Sequence, residues 1–149
     1  MSQPLLEVRN LRKYFPVRAG VLLRKIGQVH AVDDVSFTLD QGQTLGLVGE
    51  SGCGKTTVGR TLLNLLPASG GHVLFEGREV GHLSHSAWRP LRREMQIVFQ
   101  DPMESLNARH TVGQILEEPF VIHGLGDADT RRRWVGELLE DRKSTRLNS

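Results

Sequence analysis

Apolar and polar positions alternate from Leu5 to Leu11, as in a strand with one face exposed. The alternation returns over Ala31–Leu39, with Val35, Phe37 and Leu39 on one face. Between them, Pro16–Gln28 is basic, carries two glycines and reads as a loop. Asp40-Gln41-Gly42-Gln43 is a turn. Thr44–Val48 has no polar interruption after Thr44, which predicts a short strand buried on both faces. Lys55–Leu66 places Val58, Leu62, Leu63, Leu65 and Leu66 at the spacing of a helix packed on a sheet. Pro67-Ala68-Ser69-Gly70-Gly71 ends that helix, His72–Phe75 is a strand and Glu76-Gly77 a turn. A short helix is expected over Ser86–Glu94 and a short strand over Gln96–Phe99. Thr111 caps a helix to about Val121, and Asp129 caps another that includes Trp134, Val135, Leu138 and Leu139. Strands, then a strand–loop–helix unit, then mostly helix make the α/β class.

Composition narrows the function classes. With 38% hydrophobic and 24% charged residues over 149 positions, the chain fits one soluble globular domain. No apolar run approaches the roughly 20 residues that span a bilayer, and no signal peptide is indicated at Met1-Ser2-Gln3-Pro4. One cysteine, Cys53, rules out an internal disulfide. The net charge of +2 sits in the last nine residues. Three of the 19 basic and one of the 17 acidic residues lie there, leaving 16 of each over residues 1–140. Nucleic acid is therefore not an expected partner. His82 and His85 lie close in sequence without an acidic or cysteine partner at ligand spacing, so no zinc site is expected. Arg131-Arg132-Arg133 reads as a solvated helix face.

Gly49-Glu50-Ser51-Gly52-Cys53-Gly54-Lys55-Thr56, followed by Thr57, matches the phosphate-binding P-loop pattern. A triphosphate needs several donors converging on its oxygens. Glycines let the backbone curl so that successive N–H groups form an anion nest. The loop opens into a helix N-terminus, whose dipole and free amides favour negative charge. Lys55 reaches the β- and γ-phosphates, and the Thr56 hydroxyl offers Mg²⁺ a hard oxygen ligand. Cys53 occupies a position the pattern leaves free and reads as a small filler.

Together with Ile97-Val98-Phe99-Gln100-Asp101-Pro102, the loop resembles the nucleotide-binding domain of ATP-binding-cassette (ABC) ATPases. The resemblance implies that Gln100 is the Q-loop residue, completing the Mg²⁺ and water environment beside Thr56. It implies an N-terminal aromatic ring stacked on adenine, with Phe15 favoured and Tyr14 the alternate. Lys55 and Gln100 then carry the catalytic roles, and Gly49, Glu50, Ser51, Gly52, Cys53, Gly54, Lys55, Thr56, Thr57 and Gln100 surround the ATP.

Gln100-Asp101-Pro102-Met103-Glu104-Ser105-Leu106-Asn107-Ala108-Arg109, Val112-Gly113-Gln114-Ile115 and Glu117-Glu118-Pro119 resemble the dipeptide and oligopeptide importer branch. Ala108 departs from it, since the branch has proline between asparagine and arginine. The resemblance spans about residues 5–140 and implies that Ser105–Glu118 begins the helical subdomain that docks on transmembrane permease subunits. It implies a second ATPase subunit, an upstream solute-binding protein and a peripheral place on the cytoplasmic face of the plasma membrane. Three motifs of the family do not occur in the sequence: a Leu-Ser-Gly-Gly-Gln signature, an apolar strand ending in Asp-Glu, and a switch histidine. Residues 1–140 are expected to be the N-terminal part of the domain, inactive in hydrolysis alone. Asp141–Ser149 is expected to leave the preceding helix, and resembles the translation of a sequencing adapter. A nucleotide-binding-only or functionless fragment, and a soluble ABC protein of translation or DNA repair, stand as the alternatives.

Overall fold

The computed structural model describes residues 3–20, 24–101 and 105–147, and divides into two compact units, 1–97 and 98–149. In the first unit, β1 (Leu6–Ala19), β2 (Arg24–Leu39), β3 (Gly70–Phe75) and β4 (Arg78–Glu79) form an antiparallel sheet in the order β2-β1-β3-β4. The helix α1 (Lys55–Leu62) and a shorter one, α2 (His85–Trp88), pack on it with the 3₁₀ turn Leu91–Arg93.

Strict alternation would send Val8 and Leu11, three residues apart, to opposite faces of β1. Both are buried, because the register shifts between them and Asn10 adopts a left-handed φ of 49°. The same device operates opposite, where Asp34 has φ 56° between Val32 and Val35. The two turns are tied together: the Asn10 amide donates to Ser36 Oγ at 2.8 Å and Asn10 Nδ2 to Asp34 Oδ1 at 2.7 Å. Leu6, Val8, Leu11, Val32 and Val73 thereby share one core with Val58, Val80, Trp88 and Leu91. Trp88 is 1% exposed and satisfies its indole N–H on the Val80 carbonyl at 2.9 Å.

Two segments differ from the sequence expectation in opposite directions. Pro16–Gln28 is not a loop: its described part extends β1 and β2 into a long hairpin, with Pro16 opposite Gln28, while 21–23 lie outside the described residues. Pro16 is tolerated there because β3 pairs with β1 only as far as Arg12, so among the described residues β1 has one neighbour at that point. Conversely, Thr44–Val48 and Gln96–Phe99 form no strand. Leu45, Leu47, Val48 and Val98 are exposed, and neither segment pairs with another among the described residues. An apolar run becomes a strand only when another strand takes its amides and carbonyls.

Helix ends show where the chain punctuates itself. α1 stops at Leu62, short of the expected Leu66, because Asn64 enters the left-handed region at φ 51°. The Leu65 amide then returns to the Arg60 carbonyl and the Asn64 amide to that of Thr61, a Schellman closure. In the second unit, α3 (Val112–Ile122) begins at a capping box formed by Thr111 and Gln114 and closes in the same way at Gly124, φ 64°.

α4 spans Ala128–Leu147. Its first turn is capped by Asp127, which accepts from the Thr130 amide at 2.8 Å, rather than by Asp129. The backbone stays helical past Glu140 to Leu147, contrary to the expected break, since Asp141–Leu147 contains neither glycine nor proline. Phe120 packs on Trp134 with ring centroids 5.2 Å apart. Arg131 is not part of a solvated face: it bonds Glu117 at 2.9 Å and the Gly126 carbonyl at 2.8 Å.

Candidate nucleotide-binding loop

Gly49–Thr57 curls at the start of α1 by left-handed glycines, Gly52 at φ 84° and Gly54 at φ 98°. Gly54 is also pressed against β2, where an added Cβ would lie 2.1 Å from the Ala31 carbonyl oxygen. A Cβ on Gly49 would meet Cys53 Sγ at 2.6 Å. The Cys53 amide donates to the Glu50 carbonyl, and the first helical bond runs from the Val58 amide to the Gly54 carbonyl. Gly54 brings no side chain to cap the first-turn amides, and no acidic residue occupies that turn. The helix N-terminus therefore keeps its partial positive charge open to an anion.

Lys55 folds back over the loop. Its Nζ donates to the Gly49 carbonyl at 2.8 Å and the Glu50 carbonyl at 2.5 Å, with Cys53 Sγ at 3.6 Å. The ammonium thus rests on loop oxygens. Thr56, on the first turn, is exposed.

The two aromatic candidates differ in their commitments. Tyr14 stacks on His30 at 4.0 Å, and its hydroxyl donates to Asp33 Oδ1 at 2.5 Å. That bond raises the Tyr14 pKa and lowers that of Asp33, on which His30 acts in the same direction. Phe15 is 36% exposed, with Lys13 Nζ 4.9 Å from its ring centroid. Phe15 pairs with Val29, and Lys13 pairs with Val32, next to the Ala31 carbonyl that Gly54 abuts. Phe15 and the loop are thus anchored to neighbouring stretches of one hairpin.

Lys13, which the sequence did not single out, is buried and donates to the Pro67 carbonyl at 2.7 Å, tying β1 to the chain beyond α1. Its position after a bulge is invisible to strict alternation. Gln100 is exposed and belongs to the second unit, while Pro102, Met103 and Glu104 lie outside the described residues.

A glycine-curled loop that opens into an uncapped helix and carries lysine and threonine in the first turn defines a P-loop nucleotide-binding protein. The model of the ABC transporter family matches residues 32–148, and the chain belongs to that family. It is 48% identical over 139 residues to the oligopeptide transport ATP-binding protein AppF of Bacillus subtilis, covering 93% of this chain and 42% of that protein. It is 48% identical over 141 residues to the glutathione import ATP-binding protein GsiA of Escherichia coli K12, covering 93% of this chain and 23% of that one. The chain thus spans less than half the length of these relatives.

Among solved structures it resembles the dimeric ATP-binding cassette MJ0796 in a post-hydrolysis state bound to ADP and Pi. The TM-score is 0.71 at 21% identity, over 91% of this chain and 56% of that one. It also resembles cbiO1 of Clostridium perfringens, part of the complex cbiONQ, with TM-score 0.68 at 23% identity, over 93% and 50% of the two chains. These likenesses show the fold: an ABC-type cassette of the α/β class.

Proposed function

We propose that this chain is the nucleotide-binding part of the ATPase subunit of an ABC importer for di- and oligopeptides or related thiol peptides. The observation that carries the nucleotide reading is the loop itself: Lys55 Nζ drawn onto two loop carbonyls beside a helix start without a cap. The importer reading rests on the 48% identity to AppF and GsiA.

The amides of Gly49–Thr57 would hold the phosphates, with Lys55 moving from the Gly49 and Glu50 carbonyls to the β- and γ-oxygens. The hydroxyl of Thr56 and the amide oxygen of Gln100 are hard donors fit for Mg²⁺, which supplies charge neutralisation at the phosphates. The freer ring of Phe15, against the stacked and hydrogen-bonded Tyr14, supports Phe15 as the adenine partner. The subunit would act as one of a pair on permease subunits at the cytoplasmic face of the membrane, fed by a solute-binding protein. The chain of 149 residues alone is proposed to bind nucleotide without turning it over, and the apolar segments Thr44–Val48 and Gln96–Phe99, which join no sheet among the described residues, support that second reading.

Titration of the purified chain with a fluorescent ATP analogue in the presence of Mg²⁺ tests the loop. Saturable binding that Lys55→Ala weakens by at least about tenfold, the loss of one charge-assisted contact, is expected. Equal affinity in the variant refutes the assignment. Deleting the gene and following uptake of labelled dipeptide, oligopeptide and glutathione tests the importer class; undiminished uptake of all three rejects it.

A further inference from the structure

His82 and His85 lie close in sequence and no zinc site is expected from them; in the fold they take different partners. His85 Nε2 lies 3.1 Å from Arg92 Nη2. His82 instead meets His72 of β3 and Glu79 of β4, and one donor atom from each of the three lies within 4.8 Å of the others. We propose that His72, Glu79 and His82 form a binding site for a divalent transition-metal ion of the zinc class, separate from the nucleotide loop.

Two imidazoles and one carboxylate are the donor set of three-ligand zinc sites, whose fourth position is left to water or an outside ligand. Nitrogen donors favour such ions over Mg²⁺, which takes oxygen. Tetrahedral zinc with bonds of roughly 2.0–2.1 Å needs donors roughly 3.3–3.5 Å apart. Two of the three already stand closer than that, since His72 Nδ1 is 2.9 Å from Glu79 Oε2. Closing the remainder needs about an ångström of side-chain rotation, which the exposed rings of His72 and His82 allow.

The carboxylate is held from behind. Glu79 Oε1 accepts from the Gly81 amide at 2.9 Å and the Val73 amide at 3.3 Å, which turns Oε2 toward His72. Burial alone would raise the pKa of Glu79. The bond from Gly81, with those from His72 and Val73, outweighs it and holds the carboxyl below its usual range. His82 Nε2 sits 2.9 Å from the Gly71 carbonyl. A carbonyl only accepts, so Nε2 carries the proton and Nδ1 the lone pair, the outer partner that fixes a ligating histidine. Both supports depend on glycine: a Cβ on Gly71 would fall 2.3 Å from the Asn10 carbonyl oxygen, and one on Gly81 3.1 Å from Glu79 Oε1. The three ligands stand on β3, β4 and the turn just after β4, so an ion would clasp the hairpin to that turn.

Isothermal titration of the metal-free chain with Zn²⁺, and Co²⁺ absorption in the visible, test the site. The expected result is one saturable site per chain, with the intense Co²⁺ bands of four-coordination, and no competition by excess Mg²⁺. His82→Ala and His72→Ala weaken it at least about tenfold, as loss of a direct ligand exceeds loss of an outer-shell partner. Glu79→Gln, which keeps an acceptor for the Gly81 and Val73 amides, weakens it without unfolding the hairpin, as far-ultraviolet circular dichroism checks. His85→Ala, at a ring that lies against Arg92, leaves it unchanged. Absence of saturable Zn²⁺ binding, or binding that survives His82→Ala and Glu79→Gln, overturns the proposal.

Discussion

Replacing Gly54 by alanine is expected to damage the loop far more than the size of a methyl group suggests. The residue sits at φ 98°, where an L side chain costs roughly 1–2 kcal/mol. The new Cβ would stand 2.1 Å from the Ala31 carbonyl oxygen, a backbone atom of β2 that has no rotamer to escape into. Restoring a tolerable contact near 3 Å needs about 0.9 Å of backbone movement, and angular distortion on that scale costs on the order of 1–4 kcal/mol. A total near 3 kcal/mol corresponds to a Tm lower by about 6–12 °C for a chain of this size. Affinity for an ATP analogue should fall with it, because the displaced backbone carries the phosphate-facing amides.

Gly59 supplies the internal control. It lies inside α1, and a Cβ there meets nothing within 4 Å. Gly59→Ala should therefore raise stability by about 0.5–1 kcal/mol, through helix propensity and a less free unfolded chain. Differential scanning fluorimetry of both variants decides the matter. If Gly54→Ala melts and binds like the parent, or if both variants shift in the same direction, the close approach of the loop to β2 is wrong.

Two further outcomes follow from the packing and the charges. Trp88→Phe keeps most of the buried ring but removes the shorter of the two bonds to the Val80 carbonyl, leaving the one from the Leu83 amide at 3.3 Å, which should cost about 0.5–1.5 kcal/mol in urea unfolding; a variant as stable as the parent would show that this bond carries nothing. Tyr14, with its pKa raised by the bond to Asp33, should titrate above the ordinary tyrosine range in ultraviolet absorbance, and Asp33→Asn should bring it back down. The stability this pair contributes is bounded on both sides. It is lost as pH climbs through the raised Tyr14 value, and lost as pH falls through the lowered Asp33 value. A melting temperature that responds identically to pH in the parent and in Asp33→Asn would disprove the coupling.

What the sequence determined by itself was local. The P-loop is nine consecutive residues, and its curl, its helix start and its lysine need no distant contact to be read. The Glu76-Gly77 turn, with φ 47° and 72°, and the Thr111–Gln114 capping box are local in the same sense. The stop of α1 was also written locally, in Asn64, although the run of leucines beyond it pointed further on.

Tertiary structure decided whatever depends on a partner chosen from elsewhere in the chain. The basic, glycine-containing Pro16–Gln28 became strand because the described parts of its two sides pair with each other, while the apolar Thr44–Val48, which meets no partner strand among the described residues, stayed irregular. The bulges at Asn10 and Asp34 set which face Leu11, Lys13 and Val35 take. Arg131 left solvent for Glu117, and His82 exchanged its sequence neighbour His85 for His72 and Glu79. A backbone amide or a charged side chain is satisfied by whatever group the fold brings within about 3 Å, and pattern along the chain carries no record of that distance.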